Sequence, residues 1–137
     1  MSFGYSAGDV IALSQLAVKV HAAYKDAPKN YRDISEEVKS LQVIIDRAVQ
    51  HFANPVLSDS NRQQGHEVLK GCKSVLEDLN SIIKKYDSLA SADASQVIKR
   101  VKLGMEDIAT LRIRLISNTG LLNGFIQRFD IPTINYS

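Results

Sequence analysis

Leu69, Cys72, Val75/Leu76, Leu79, Ile82/Ile83 and Tyr86 step along one stretch of the chain by three and four without a miss. Successive helical residues turn by about 100°, so only positions three or four apart share a face. This spacing therefore predicts a helix with one dry side. Lys73, Glu77, Asp78, Lys84 and Lys85 fill the gaps, as a wet side requires. The predicted span is about Ser58 to Leu89, starting at Asp59 or Ser60. A strand needs strict alternation, which nowhere persists in this chain.

Three further segments repeat the pattern. In the second, from about Tyr31 to Phe52, Ile34, Val38, Leu41, Ile45 and Ala48 form the stripe. Ser35, Glu36 and Glu37 are read as capping and dipole-complementing groups in its first turns. In the fourth, Val97, Val101, Met105, Ile108, Leu111 and Leu115 form a stripe from about Ala94 to Arg114, or on to Phe129 if the helix continues. Ser117–Gly120 is weak in helix propensity, Gly costing roughly 1 kcal/mol against Ala. A kink is expected there, or a break into a short fifth helix carrying Leu121, Leu122, Phe125, Ile126 and Phe129.

The first segment, from about Ala7 to Asp26, differs from the others. Val10, Leu13, Leu16, Ala17, Val20 and Tyr24 make one face, but Ile11 and Val18 lie nearly opposite. The polar stripe of Gln15, Lys19 and Asp26 is narrow. A helix apolar around most of its circumference is either central in a bundle or made to meet something other than water. Gly4, Gly8, Pro28, Pro55, Ser88–Ser95 and Pro132 punctuate the segments. The expectation is an all-α protein, an antiparallel four-helix bundle forming one domain over 1–137, with a tail over about 130–137.

Length and composition agree with that reading. At 137 residues the chain has the size of one domain, and folding at this size buries roughly 70% of the unfolded surface. Hydrophobic residues make up 45% and charged residues 23%, a globular rather than disordered profile. Val10–Tyr24, the most apolar stretch, is interrupted by Ser14, Gln15, Lys19 and His21 and is shorter than the roughly 20 residues of a spanning helix. No Lys or Arg precedes it, as a secretory signal would require. The single cysteine, Cys72, forms no internal disulfide, which suits a reducing compartment such as the cytoplasm.

No residue pattern points to catalysis or to a cofactor. His21, His51 and His66 lie on different segments without Cys or carboxylate at ligand spacing, and Cys72 sits on an apolar stripe, where a thiol is inert. Glu77/Asp78 and Glu106/Asp107 are sequence neighbours that diverge on a helix, as solvated carboxylates do. Phosphate-binding and nucleophile-elbow loops are absent from the sequence. A net charge of +2 carries no strong field toward nucleic acid. Lys99, Arg100, Lys102, Arg112 and Arg114 point several ways, with no aromatic residues between them. Arg112 falls inside the apolar arc beside Ile108 and Leu115. It reads either as a side chain snorkelling at the bundle edge or as a buried charge paired with Glu106, Asp107 or Asp9.

Four stretches carry a family resemblance: SFGYSAGDVIALSQLA (Ser2–Ala17), KDAPKNYRDISEEVKSLQ (Lys25–Gln42), GCKSVLEDLNSIIKKYDSL (Gly71–Leu89) and GMEDIATLRIRLISNTGLLNGFI (Gly104–Ile126). Together they resemble the fungal N-terminal domain of STAND proteins, the HeLo-like domain that precedes fungal NOD-like receptors. The resemblance covers nearly the whole chain. It departs at VIKRVKLGMEDI, where members often carry Trp and this chain has none.

The resemblance implies an effector of programmed cell death, innate immunity or heterokaryon incompatibility, similar in design to the four-helix bundles of necroptosis. Such a bundle is cytoplasmic and inert until an attached NTPase and repeat sensor oligomerises it. It is then recruited to the plasma membrane, with anionic lipid and further copies of itself as partners. Carried onto this chain, the effector helix would comprise Phe3, Tyr5, Val10, Ile11, Leu13, Leu16, Val18, Val20 and Tyr24. The alternative is a non-lytic adaptor that docks on itself or on a partner protein.

Overall fold

A computed structural model describes residues 6–25, 29–53, 57–89 and 109–128. Among them the chain forms four helices and no strand: α1 (Ala7–Lys25), α2 (Lys29–Ala53), α3 (Asp59–Leu89) and α4 over 109–128. The expected all-α bundle is the fold. Val97, Val101, Met105, Ile108, Phe129 and the tail over 130–137 lie outside the described residues, as does the side chain of Tyr86.

Each helix contributes one stripe to a single core. The buried positions are Val10, Leu13, Ala17, Val20 and Tyr24 on α1, and Ile34, Val38, Leu41, Ile45, Ala48 and Phe52 on α2. Leu69, Cys72, Val75, Leu76, Leu79 and Ile83 come from α3, and Leu111, Leu115, Leu122, Phe125 and Ile126 from α4. The spacing by three and four drives burial because it lines these side chains along one side of each cylinder.

Cross-helix contacts give the direction of each helix. Ser14 meets Asp46 and His21 meets Ser35, so α1 and α2 are antiparallel. Arg114 reaches Asp78, Cys72 reaches Asn118 and Arg128 reaches Gln64, so α3 and α4 are antiparallel. Arg112 meets Glu37 and Phe52 meets Phe125, so α2 and α4 run the same way. It follows that α1 and α3 also run parallel. Both α1 and α4 pack on α2 and α3, which puts α1 and α4 at opposite corners of the bundle.

Two sequence expectations are corrected. α4 runs unbroken through Ser117–Gly120 to residue 128, so no fifth helix is set off. Asn118 and Thr119 turn their side chains back onto the carbonyls of Arg114 and Leu115, at 2.8 and 2.7 Å, while Leu115 and Leu122 anchor both flanks in the core. Tertiary burial here outweighs a propensity deficit of about 1 kcal/mol. α2 begins at Lys29, and its first turn carries no acid. Ser35, Glu36 and Glu37 therefore sit further along the helix, and Ser35 is buried against α1 instead of capping.

One glycine is fixed by packing. A Cβ built on Gly65 of α3 would lie 2.5 Å from Phe52 Cζ and 2.8 Å from Phe125 Cζ. The two rings stack obliquely, with centroids 6.2 Å apart, and Gly65 lets α3 come down onto them. Gly→Ala inside a helix ordinarily gains up to about 1 kcal/mol. Gly65→Ala is expected to do the reverse, lowering stability by about 1–3 kcal/mol in urea unfolding as the rings are forced aside.

Candidate functional site

α1 starts with a reciprocal cap. The Ser6 backbone N–H donates to Asp9 Oδ2 at 2.9 Å, and the Asp9 N–H donates to Ser6 Oγ at 3.3 Å. Two amide groups that the helix leaves unpaired are satisfied by this exchange. The hydrogen bonds from Ser6 hold the Asp9 carboxyl below its ordinary value, and the carboxylate also suits the positive end of the helix dipole.

The buried side of α1 is tied to its neighbours by three polar contacts. The Tyr24 hydroxyl donates to the Leu79 carbonyl at 2.7 Å, deep in the bundle. His21 Nδ1 lies 2.8 Å from the Ser35 carbonyl and 3.0 Å from its hydroxyl. Ser14 Oγ donates to Asp46. Tyr24 buries an aromatic ring while its hydroxyl finds an acceptor, which avoids the cost of a stranded polar group.

The expected effector residues divide into two sets. Val10, Leu13, Val20 and Tyr24 are core, and Leu16 is half-buried against it. Ile11 and Val18 point away from the core and are 46% and 47% exposed. Ala12, Gln15, Lys19 and Ala22 are exposed around them. Phe3 and Tyr5 lie outside the described residues. Beside this outer face a groove of about 600 Å³ runs between α1 and α3, with Ala12, Leu13 and Leu16 on one wall and His66, Lys70 and Lys73 on the other. No described helix is long and apolar enough to cross a membrane.

Arg112 is not a buried charge. Its side chain is 47% exposed, with Nε 2.7 Å from Glu37 Oε1 and Nη1 4.0 Å from Asp33 Oδ2. The hydrogen bond to Glu37 and its charge raise the guanidinium pKa further. Among the described residues its partners are Glu37 and Asp33, both on α2. Of the acids that sequence reading proposed for it, Asp9 caps the start of α1 instead, and Glu106 and Asp107 lie outside the described residues. The wheel placed Arg112 inside the apolar arc; the structure puts it at the arc's edge, where the long side chain reaches out across the α2–α4 seam. A matching pair, Arg114 with Asp78 at 2.8 Å, closes the α3–α4 seam. Neither partnership was visible in the sequence, because each joins residues more than 35 positions apart.

Two other candidate side chains are occupied structurally. Cys72 is buried, and desolvation pushes its thiol up to about 12, far from the range of a nucleophile. His51 is bonded to the Arg47 carbonyl at 3.1 Å. Among the described residues no three His, Cys, Asp or Glu side chains are grouped to hold a metal ion. No protein-family model, curated protein or solved structure matches the chain.

Two outcomes check this description. Because the Asp9 pKa is lowered by folding, its contribution is present above the unfolded value and fades as pH falls through the folded one. Asp9→Asn should therefore lower the melting temperature at neutral pH, with the difference closing below about pH 4. The two sides of α1 should also respond oppositely to charge. Ile11→Glu or Val18→Glu should change stability by no more than about 0.5 kcal/mol, whereas Val20→Glu should unfold the domain in thermal denaturation followed by circular dichroism.

Proposed function

We propose that this chain is the N-terminal effector domain of a fungal NOD-like receptor-type protein, acting without enzymatic chemistry or cofactor. In this reading it is held in the cytoplasm until an attached NTPase and repeat sensor brings copies together. It then engages anionic lipid of the plasma membrane through α1 to trigger regulated cell death. The observation that carries the reading is the outer face of α1, where Ile11 and Val18 stand in solvent on a helix whose opposite side is already apolar. The sequence resemblance described above adds the biological context.

Magnitudes favour activation by oligomerisation. Two half-exposed aliphatic side chains give one copy roughly 2 kcal/mol of lipid affinity, a dissociation constant of tens of millimolar. A single bundle would therefore stay in water, whereas several joined copies would combine their weak contacts into lasting attachment. Releasing the core stripe of α1 into water would cost on the order of 10 kcal/mol, as much as a typical domain's whole stability. That stripe can leave the bundle only for another apolar environment, which lipid supplies.

The adaptor reading rests on the same burial. With Val10, Leu13, Val20 and Tyr24 already in the core, a bundle that never opens would present only surfaces for protein contact. Dye release from vesicles separates the two. The effector reading expects leakage from anionic vesicles, rising with protein concentration and lost in folded Ile11→Glu. Absence of leakage at every concentration, even after forced dimerisation through a fused tag, would leave the adaptor.

A further inference from the structure

α1 is seated unevenly along its length. Over its first half a groove of about 600 Å³ runs between it and α3, with Asp9, Ala12, Leu13 and Leu16 along the gap. In that half the buried stripe consists of Val10 and Leu13, and Leu16 is half-buried. Beyond the groove the seat closes. Ala17, Val20 and Tyr24 are fully buried, and Ala23 packs against the same core.

The polar contacts follow the same division. At the closed end the Tyr24 hydroxyl ties α1 to the Leu79 carbonyl of α3, and His21 meets Ser35 of α2. In the first half, the cap between Ser6 and Asp9 is internal to α1, and the Ser14–Asp46 contact with α2 is exposed. A hydrogen bond in solvent holds less than one in the core. Lys73, on the far wall of the groove, is paired within its own helix to Glu77 at 3.9 Å.

These differences bear on how α1 can come free. Releasing all of α1 strips five core side chains at once, whereas lifting residues 7–16 strips Val10 and Leu13. Openings that expose less apolar surface are the more populated ones. Detached in water, a segment this short does not hold its own helix, but at a lipid surface an apolar side restores it.

We infer that α1 opens in two stages, with residues 7–16 lifting first while residues 17–25 stay seated against α2 and α3. The groove is the device, because it spares the first half of α1 much of its contact with α3. What the lifted half meets rests on the lipid reading above, under which Val10, Leu13 and Leu16 join Ile11 on one inserted segment. The opening itself does not depend on that reading.

Native-state hydrogen exchange in dilute denaturant, read residue by residue without lipid, tests this. The amides of residues 13–16 should share one opening with a denaturant slope, about 100-fold more populated than the opening that exposes residues 20–24. Ala12→Leu places a larger apolar side chain where the groove has room, and should depress the first opening about tenfold. Tyr24→Phe removes the bond to Leu79. It should raise the second opening about tenfold and leave the first unchanged, since Tyr24 stays seated in the first stage. Four results would overturn the inference: exchange of both segments together, graded fraying of residues 13–16 without a denaturant slope, a first opening indifferent to Ala12→Leu, or one raised by Tyr24→Phe. Dye release keeps the two failures apart. Two-stage opening in a protein that releases no dye retains this device and sinks the lipid reading, whereas dye release by a protein whose α1 opens only as a whole does the opposite.

Discussion

Burial of Val10, Leu13, Ala17, Val20 and Tyr24 against α2 and α3 is the interaction on which the rest of the molecule depends. It commits most of the apolar surface of α1 to the core, at a strength comparable to the whole stability of a domain this size. What α1 can offer to anything else is thereby reduced to Ile11, Val18 and the small residues around them. The polar contacts of Tyr24, His21 and Ser14 set the register of that seat. They contribute less than the stripe, since a buried hydrogen bond nets about 1 kcal/mol and an exposed one less.

The bundle is asymmetric in the character of its surfaces. α2 and α3, each packed on both other helices, show charged outer sides. α1 and α4, at opposite corners, show apolar ones. On the proposed reading the α1 corner is the one that meets lipid; Lys19 stands beside it, and the groove at its edge is lined by Lys70 and Lys73 together with Asp9 and Glu77. The other is bordered by Arg112 with Glu37 and Asp33 on one side and by Arg114 with Asp78 on the other. In that reading, gathering copies multiplies the weak lipid contact of each closed bundle, and α1 then leaves its seat into lipid.

The core was legible in the sequence wherever the period was clean. Every described stripe position read on α2 and α3 is buried or packed against the core, because a spacing of three and four leaves a side chain one place to go. The outward character of Ile11 and Val18 was legible for the same reason. Ser117–Gly120 was misread because propensity is a local quantity, while Leu115 and Leu122 secure that turn from a distance. Leu16 was read as core and is only half-buried, since it stands at the groove where α1 and α3 diverge. The partners of Arg112 were not legible, because pairing across seams depends on which helices become neighbours. The exposure of Ile113, Ile116 and Leu121 on α4 was not legible either, since it depends on knowing which side faces the core.

The most direct measurement locks α1 in its seat. Ser14 and Asp46 touch across α1 and α2, so Ser14→Cys with Asp46→Cys provides a reversible staple while Cys72 stays buried. If α1 must leave the bundle to act on lipid, the oxidised protein should still adsorb weakly to anionic vesicles through Ile11 and Val18 but release no dye. Reductant should restore release. Full dye release by the oxidised protein would contradict that claim, and would mean that the closed bundle acts on membranes through its outer surface alone.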